Sequence, residues 1–211
     1  MKIAIIGAGN VGGALGKLWA AKGHQVMFGV PDPQGTKTQA LVKSIGNRAT
    51  AGSVKDAASF GEVVVLATPW PATQDAVRAA GDLAGKVVID CTNPLAADLS
   101  GLVIGTTTSA AEEVARWARG AKVVKAFNTI GADNFGNPKF GSEAASMFIC
   151  GDDAAAKSRA GELAAELGFD VVDVGPLTAA RSLEPLAMLW IDLALKQGWG
   201  PSGHAFKMLR R

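Results

Sequence analysis

Residue types that support several classes of function are scarce in this chain of 211 residues. It contains two histidines, His24 and His204, which excludes a histidine-rich metal site, so we predict no metal ligands. No Ser-His-Asp set, Cys-His set or pair of carboxylates stands out as catalytic machinery. His24 follows a helix-ending glycine, and this position predicts that it caps the C-terminus of a helix.

Cysteine is equally scarce, with Cys91 and Cys150 each placed at the end of an apolar strand-like run. Such positions are typical of small buried side chains, and few cysteines are typical of a reducing compartment. We therefore interpret both as reduced, buried thiols of a cytoplasmic protein, with a disulfide between them as the alternative.

The chain also lacks a large excess of charge of one sign and long apolar runs. The net charge of +2 is spread along the chain without a basic block, so neither nucleic acid nor an anionic membrane surface is indicated as a partner. The most apolar late segment, residues 186–195, carries Asp192 and is too short to span a bilayer. The first apolar run is only a few residues long and leads into a glycine turn, so it does not predict a signal peptide.

What the chain does contain is organised around residues 1–30. The run 2–6 predicts a buried strand of a parallel sheet, and a G-x-G-x-x-G turn follows it. A helix from residue 13 to about residue 22 and a second strand over 25–28 complete the unit. This context is the one in which the glycine turn predicts dinucleotide binding. The predicted pyrophosphate contacts are Gly7, Ala8, Gly9, Asn10, Val11 and Gly12.

Each glycine of the turn has a separate physical reason. Gly7 allows the tight turn, Gly9 lets the backbone approach a pyrophosphate, and Gly12 lets the helix pack closely on the strand. The N-terminus of the helix then offers free N–H groups and a partial positive charge to the phosphates.

Strand and helix patterns alternate six times with short connections, which predicts an α/β fold, a Rossmann-type doubly wound parallel sheet. We expect a dinucleotide-binding domain over residues 1–138. Residues 139–211 are predicted to form a small C-terminal α/β lobe that packs on the sheet edge and completes the substrate crevice. Strands are predicted at 2–6, 25–28, 48–51, 62–67, 86–90, 122–127, 145–150 and 170–174, and helices at 13–22, 38–45, from 53, 72–80, 109–119, 153–167 and 178–196.

Ligands of such sheets bind beyond the carboxyl ends of the strands, so the segments that follow the strands are the informative ones. Five of these tails are rich in Gly, Pro, Asn and Thr: residues 7–12, 29–32, 68–70, 92–94 and 128–132. Small polar side chains and backbone groups of this kind are typical of a cofactor crevice, although each tail alone also fits an ordinary turn.

The residue that ends the second strand contacts the adenosine ribose of the dinucleotide. Val30 and Pro31 occupy that place and supply neither the carboxylate typical of NAD sites nor a basic pair typical of NADP sites. Asp32, twenty residues after Gly12, favours NAD, whereas Lys37 could reach a 2′-phosphate from the following loop. The absence of a carboxylate at Val30 favours NADP, and NAD remains open.

The motifs in this order resemble the NADP oxidoreductases that use coenzyme F-420, a deazaflavin. They are also similar to the N-terminal cytoplasmic domain of six-transmembrane metalloreductases, which is closer in the Ala-Phe-Asn-Thr motif. The motifs that carry the resemblance are the glycine turn, Thr68-Pro69-Trp70, residues 124–130, residues 150–153, and residues 175–177 followed by Arg181 and Glu184.

The resemblance implies a compact NADP-binding domain with a small C-terminal lobe, usually dimeric, that passes a hydride between NADPH and a deazaflavin or flavin. Two departures from the family pattern are visible. Val30 and Pro31 replace the Ser-Arg or Val-Arg pair, and Asn128 stands where the archaeal deazaflavin enzymes have histidine. The first departure concerns the contact with the 2′-phosphate of NADP, and the second keeps a flavin or ferric acceptor open.

Hydride transfer between two stacked rings needs alignment and water exclusion more than a general acid, so we assign no catalytic side chain. The predicted nicotinamide-ribose contacts are Thr68, Pro69, Asn93 and Pro94, and those near the nicotinamide ring are Asn128, Thr129, Gly131 and Ala132. Trp70, Leu177 and Arg181 are predicted to form the wall for the second substrate. For Arg181 the alternative is an ion pair with Glu184 at the i, i+3 helical spacing.

Three other functions remain possible at this point. One is an NADPH-dependent flavin or ferric reductase, and another is a redox-sensing module that binds NADP but transfers nothing. A reductase of the 3-hydroxyacid or pyrroline-carboxylate type is disfavoured, because it needs a long helical C-terminal domain and only 31 residues follow Ala180.

Overall fold

The computed structural model describes residues 1–211 as an eight-stranded sheet with seven α-helices and a separate two-stranded hairpin. The sheet strands are β1 Lys2–Ile6, β2 Gln25–Gly29, β3 Ala49–Gly52, β4 Val63–Leu66, β5 Val87–Asp90, β6 Lys122–Lys125, β9 Ser146–Gly151 and β10 Asp170–Asp173; the hairpin strands are β7 Lys139–Phe140 and β8 Glu143–Ala144. The helices are α1 Asn10–Ala21, α2 Thr36–Ile45, α3 Val54–Phe60, α4 Trp70–Ala80, α5 Ala110–Trp117, α6 Ala154–Ala165 and α7 Ala180–Leu195. Two 3₁₀ turns cover Ala132–Asn134 and Leu177–Ala179.

The first six strands are parallel and lie in the order β3-β2-β1-β4-β5-β6. This order confirms the predicted doubly wound sheet of the Rossmann type. The order reverses between β1 and β4, and a crevice forms at such a switch point beyond the carboxyl ends of the strands. The candidate site is therefore expected beside the tails of β1 and β4.

Strands from the C-terminal part of the chain extend this same sheet. β9 pairs antiparallel with β6, with Lys125 opposite Cys150, and β10 pairs parallel with β9 at the edge. The segment after residue 138 thus joins the sheet edge through backbone hydrogen bonds. Its description as a separate lobe from residues 139–211 stays a prediction.

Two apolar layers cover the two faces of the sheet. Because successive strand residues point to opposite faces, Ile3 and Ile5 join one buried cluster while Ala4 and Ile6 join the other. The first cluster packs α1 and α6 against the sheet, and the second packs α3, α4, α5 and α7. At about 25 cal/mol per Å² of buried apolar area, these layers supply the main stabilisation of the fold.

Several helix ends confirm the sequence prediction. Ser53, Ser109 and Asp153 each accept a hydrogen bond from a backbone N–H three residues later and so cap α3, α5 and α6. His24 closes α1 through its backbone: its N–H donates to Trp19 O, as in a Schellman motif. Its ring is also placed 2.7 Å from a carboxylate oxygen of Glu166, which the sequence prediction did not include.

Other boundaries were wrong. α1 begins at Asn10 rather than at residue 13, because Gly9 has extended backbone angles and takes the N-cap position. α4 begins at Trp70 rather than at residue 72, since Pro71 lies in the first turn, where its missing N–H costs nothing. The hairpin and the two 3₁₀ turns had no signal strong enough to predict them.

Both cysteines are buried and unpaired, as predicted. Burial raises the pKa of the Cys150 thiol to about 12. No helix of the chain combines the length and the apolar character that a membrane crossing requires.

Candidate functional site

The glycine turn between β1 and α1 has the geometry that close approach requires. Gly7 has a φ of +105°, and a Cβ placed there would lie 2.5 Å from the Ala67 carbonyl oxygen. At Gly12 a Cβ would lie 2.1 Å from the Gly7 carbonyl oxygen, so only glycine lets α1 start this close to β1. Gly9 faces open space, with nothing within 4 Å of a Cβ. No side chain caps α1, which leaves its first N–H groups available to an anion.

The strand tails meet in two adjacent cavities at the carboxyl edge of the sheet. The larger has a volume of about 610 Å³ and lies between the glycine turn, the tails of β4 and β5 and the loop after β5. The smaller, about 250 Å³, lies between the tails of β5 and β6 and helix α7. Asn10, Val11, Cys91 and Asn93 line both cavities. The predicted residues that line one or both are Gly9, Asn10, Val11, Thr68, Pro69, Trp70, Asn93, Asn128, Gly131 and Ala132.

A third cavity of about 430 Å³ lies on the other side of the glycine turn, beside the tail of β2. Its walls are mainly apolar, and its one charged lining residue is Asp75. The predicted residues that line it are Gly7, Ala8, Val30, Pro31, Thr68 and Pro69. The three cavities together form a crevice that follows the switch point of the sheet.

Asn93 and Asn128 connect the tails of β5 and β6 through reciprocal hydrogen bonds. Asn93 Nδ2 donates to the Asn128 carbonyl oxygen at 3.0 Å, and Asn128 Nδ2 donates to Asn93 Oδ1 at 3.1 Å. The side-chain oxygens of Asn128 and of the neighbouring Thr129 are buried without a hydrogen-bond partner. Because buried polar atoms normally find partners, and Asn128 lines the smaller cavity, its side-chain oxygen is available to a group bound there.

Phe127 turns the chain at the start of this tail. Its φ is +62°, a left-handed conformation that costs a non-glycine residue about 1–3 kcal/mol. The buried ring is held by edge-on contacts with Trp19, Phe135 and Phe169 at centroid distances of 5.6, 5.7 and 6.4 Å. Aromatic packing therefore holds the strained residue that presents Asn128 to the crevice.

This strain makes a testable prediction about substitutions of Phe127. Phe127→Ala and Phe135→Ala should each lower the free energy of unfolding by about 3–5 kcal/mol, since both rings are buried. Phe127→Gly should be at least as stable as Phe127→Ala, because glycine removes the left-handed strain. Phe135 is a matched control, because its φ is −63°. There Phe135→Gly should be less stable than Phe135→Ala by about 0.5–1 kcal/mol. Urea unfolding measures all four variants, and the same order at both sites would contradict the strain.

Residues around the tail of β2 are placed as follows. Asp32 Oδ1 accepts a hydrogen bond from the Gln34 N–H at 3.2 Å and so closes the turn before α2. Lys37 lies exposed in the first turn of α2 and lines none of the three cavities. The carboxylate that favoured NAD is thus engaged in a local turn.

Trp70 lies at the mouth of the larger cavity and stacks on Trp117 of α5, with ring centroids 5.3 Å apart. The loop residues Leu95 and Leu99 line the same cavity. Stacking fixes the ring of Trp70 as an apolar element of the cavity wall.

Arg181 and Leu177 are placed away from the three cavities. Arg181 binds Glu112 of α5 with two hydrogen bonds, of 2.9 and 2.6 Å, and a hydrogen bond from Arg181 lowers the pKa of Glu112. The predicted alternative, an ion pair with Glu184, is wrong, because Glu184 is buried and binds Lys125 instead. Leu177 is buried, and like Arg181, Pro94, Thr129 and Gly12 it lines none of the three cavities. A substrate-wall role for Leu177 and Arg181 stays a prediction.

Sequence reasoning missed a buried charge cluster beside the crevice. Lys125, at the end of β6, lies within 2.9 Å of Asp90, at the end of β5, and within 3.0 Å of Glu184 in α7. Burial alone would lower the pKa of Lys125, but the two carboxylates outweigh burial and raise it. The only sequence signal was a charged residue at the end of each of two apolar strands.

A doubly wound sheet with a glycine turn, an uncapped α1 and a crevice at its switch point defines a dinucleotide-binding protein. The sequence model of the family described as NADP oxidoreductase, coenzyme F-420-dependent, matches residues 2–94. The chain is 30% identical over 213 residues to the F-420-dependent NADP reductase of Methanocaldococcus jannaschii, covering 93% of each protein. This chain therefore belongs to the F-420-dependent NADP oxidoreductase family and is an oxidoreductase.

Other relatives place the chain within a wider group. It is 31% identical over 191 residues to Metalloreductase STEAP3 of Rattus norvegicus, which covers 89% of this chain but only 37% of that protein. A solved structure of a candidate F-420-dependent NADP reductase from Arthrobacter sp. FB24 matches all of both chains with a TM-score of 0.91 and 33% identity. A reductive aminase from Aspergillus terreus shares the fold alone, with a TM-score of 0.67 and 22% identity over 94% of this chain and 62% of that chain.

Proposed function

We propose that this protein transfers a hydride between NADPH and a deazaflavin such as coenzyme F-420, or a flavin-like acceptor. The observation that carries the proposal is the pair of adjacent cavities that share Asn10, Val11, Cys91 and Asn93. One cavity suits the nicotinamide end of the dinucleotide, and the other leaves room for a second ring beside it. The similarity to the F-420-dependent NADP reductase of Methanocaldococcus jannaschii supports this acceptor.

The crevice suits NADP(H) in three parts. The apolar cavity beside Val30 and Pro31 suits the adenosine, and the glycine turn with the N-terminus of α1 suits the pyrophosphate. Asn93 and Asn128, with the unpartnered side-chain oxygen of Asn128, suit the nicotinamide end, whose carboxamide has N–H groups to donate.

NADPH would supply a hydride, which moves with its electron pair to the ring of the acceptor and leaves NADP⁺ behind. A proton from water balances the reduced acceptor. The contribution of this chain is to align the two rings and to exclude water from between them. Such alignment removes much of the barrier in reactions of this kind. No general acid is needed at the carbon that gives up the hydride.

The acceptor is tested by following NADPH oxidation by absorbance with the deazaflavin, with free flavin, and with a ferric chelate. We expect fast oxidation with the deazaflavin. Activity with flavin or ferric chelate alone would favour the second candidate, a flavin or ferric reductase, which the relation to Metalloreductase STEAP3 and the motif around Asn128 support. Tight NADPH binding without oxidation by any acceptor would contradict the proposal and favour a redox sensor.

Selectivity for NADPH over NADH is proposed to depend on Lys37. Lys37 lies exposed in the first turn of α2, which follows the loop after β2. Lys37→Met should raise the Kd of NADPH about two- to fivefold, as expected for one exposed charge–phosphate contact, and leave the Kd of NADH unchanged. Lys43→Met is the matched control, because Lys43 is the same residue type in the last turn of the same helix. Equal effects of both variants on NADPH would show that Lys37 makes no such contact.

A homodimer and a cytoplasmic location complete the proposal. Helix α7 and the segment after it leave Leu189, Leu195 and Trp199 about half exposed or more, at 49%, 60% and 55%. Such exposure supports association through this face, and the buried unpaired thiols support a reducing compartment. Light scattering of the wild type and of Leu189→Glu tests the dimer, since a charge in the contact should yield monomers.

A further inference from the structure

The buried charge cluster Asp90–Lys125–Glu184 lies beside the crevice, and the proposed function so far assigns it no role. All three side chains are fully or almost fully shielded from solvent. A buried ion pair is weak evidence for stability, because desolvation offsets much of the attraction. The cluster is therefore informative mainly through the neighbouring residues that its hydrogen bonds hold in position.

The cluster holds Thr92, the residue between two cavity-lining positions. Asp90 Oδ1 accepts hydrogen bonds from the Thr92 N–H at 2.9 Å and from its hydroxyl at 2.7 Å. Lys125 Nζ donates to the Thr92 carbonyl oxygen. Every polar group of Thr92 is thus bound by the cluster, and the neighbouring Cys91 and Asn93 line both cavities.

Consecutive residues of α7 bind the end of β6 and the tail that follows it. The Leu183 carbonyl oxygen accepts a hydrogen bond from Asn128 Nδ2 at 3.2 Å. The next residue, Glu184, binds Lys125. Asn128 in turn is joined to Asn93 by reciprocal hydrogen bonds. One turn of α7 therefore reaches both asparagines of the crevice, one directly and one through Lys125.

Glu184 is itself fixed by the start of α5. Its Oε2 accepts a hydrogen bond from the Ala110 N–H at 2.8 Å, and its Oε1 accepts one from the Ala111 N–H at 3.2 Å. The partial positive charge of this helix N-terminus offsets the second carboxylate of the cluster. The carboxylate therefore has a single position, set by α5, from which it directs Lys125.

We propose that Glu184 is a positioning residue for hydride transfer. Through Lys125 it sets the turn at Thr92, and so it orients Asn93 against Asn128 where the nicotinamide is to be aligned. The reaction concerned rests on the function proposed above. The position of the two asparagines is a property of this chain's own residues.

The test is Glu184→Gln, which keeps the shape of the side chain and removes its charge. We expect kcat to fall about 10- to 100-fold, as for a reacting group displaced by about 1 Å. The Kd of NADPH should stay within about twofold, because pyrophosphate and adenosine contacts lie on other strands. Nuclear magnetic resonance of the side-chain amides should show shifted Asn93 and Asn128 signals and faster hydrogen exchange.

Glu166→Gln is the matched control, since Glu166 also binds a distant residue, His24, but away from the crevice. It should leave kcat and both asparagine signals unchanged. Glu184→Asp keeps the charge and should recover part of kcat. If Glu184→Gln does not fold, Glu184→Asp is compared with Glu166→Gln instead.

Two results overturn the inference: unchanged asparagine signals in both Glu184 variants, or a fall in kcat no larger than that of Glu166→Gln. If the wild type transfers no hydride, the proposed function fails, and the amide signals alone still decide the positioning role. A loss of melting temperature without a change in kcat or in the amide signals would show a purely structural role.

Discussion

Gly12→Ala is expected to weaken NADPH binding about tenfold or more and to lower the free energy of unfolding by about 1–3 kcal/mol. A Cβ at this position would lie 2.1 Å from the Gly7 carbonyl oxygen and 3.0 Å from a methyl carbon of Ile5. Because one of these contacts is with backbone, α1 must move away from β1. The N–H groups that we propose to bind the pyrophosphate would move with it. Isothermal titration with NADPH and urea unfolding measure the two effects.

Two neighbouring glycines provide the controls. At Gly13 the nearest atom to a Cβ is a Leu41 carbon at 3.6 Å, an ordinary contact, so Gly13→Ala should stabilise α1 by about 0.8–1 kcal/mol. At Gly9 a Cβ meets nothing within 4 Å, so Gly9→Ala should cost only the loss of a preferred N-cap residue, about 0.5–1 kcal/mol. The same Cβ should crowd a bound pyrophosphate and weaken NADPH binding. Wild-type affinity in Gly9→Ala would show that the pyrophosphate does not lie on this turn.

Lys125→Met should lower the free energy of unfolding by about 3–5 kcal/mol, because it leaves the carboxylates of Asp90 and Glu184 buried without their cation. Lys122→Met is the matched control on the same strand. Lys122 pairs with Asp153 at a half-exposed site, so its loss should cost about 1 kcal/mol or less. Equal losses in the two variants, measured by urea unfolding, would contradict a special role of the buried ammonium.

The pH dependence of the same variants has a definite sign. In the wild type the raised pKa of Lys125 adds stability that is complete below about pH 10.5 and is lost as the pH rises through the folded-state pKa. Lys125→Met lacks this contribution at every pH. The stability difference between the wild type and the variant should therefore shrink as the pH rises above about 10.5. A constant difference across this range would contradict the mechanism.

Much of the fold could be predicted because its signals are local. The run 2–6, the glycine turn and the caps at Ser53, Ser109 and Asp153 each depend on residues a few positions apart. The alternation of strands and helices then predicts a doubly wound sheet, since parallel strands need crossovers. Helix starts were less predictable, because Gly9 and Pro69 act as N-caps without a capping side chain.

The crevice was predictable for a related reason. The tails of parallel strands meet at one edge of a sheet, so Asn93 and Asn128 were predicted to lie near each other. In the structure they are joined by reciprocal hydrogen bonds. The individual polar partners were not predictable. Asp32 and Lys37 offered opposite indications for the cofactor, and only the structure showed that Asp32 closes a local turn.

The sequence by itself determined the Rossmann-type sheet, the glycine turn and the set of tails that line the crevice. These features depend on turns and apolar periodicity, which involve residues only a few positions apart in the chain. Only the tertiary structure decided which charges meet. The alternative considered for Arg181 was an ion pair with Glu184 at helical spacing, yet Arg181 binds Glu112 of α5, while Glu184 binds Lys125 in the core. Such partners come from different helices and strands, and their pairing depends on how α5 and α7 pack on the sheet, which no spacing along the chain records.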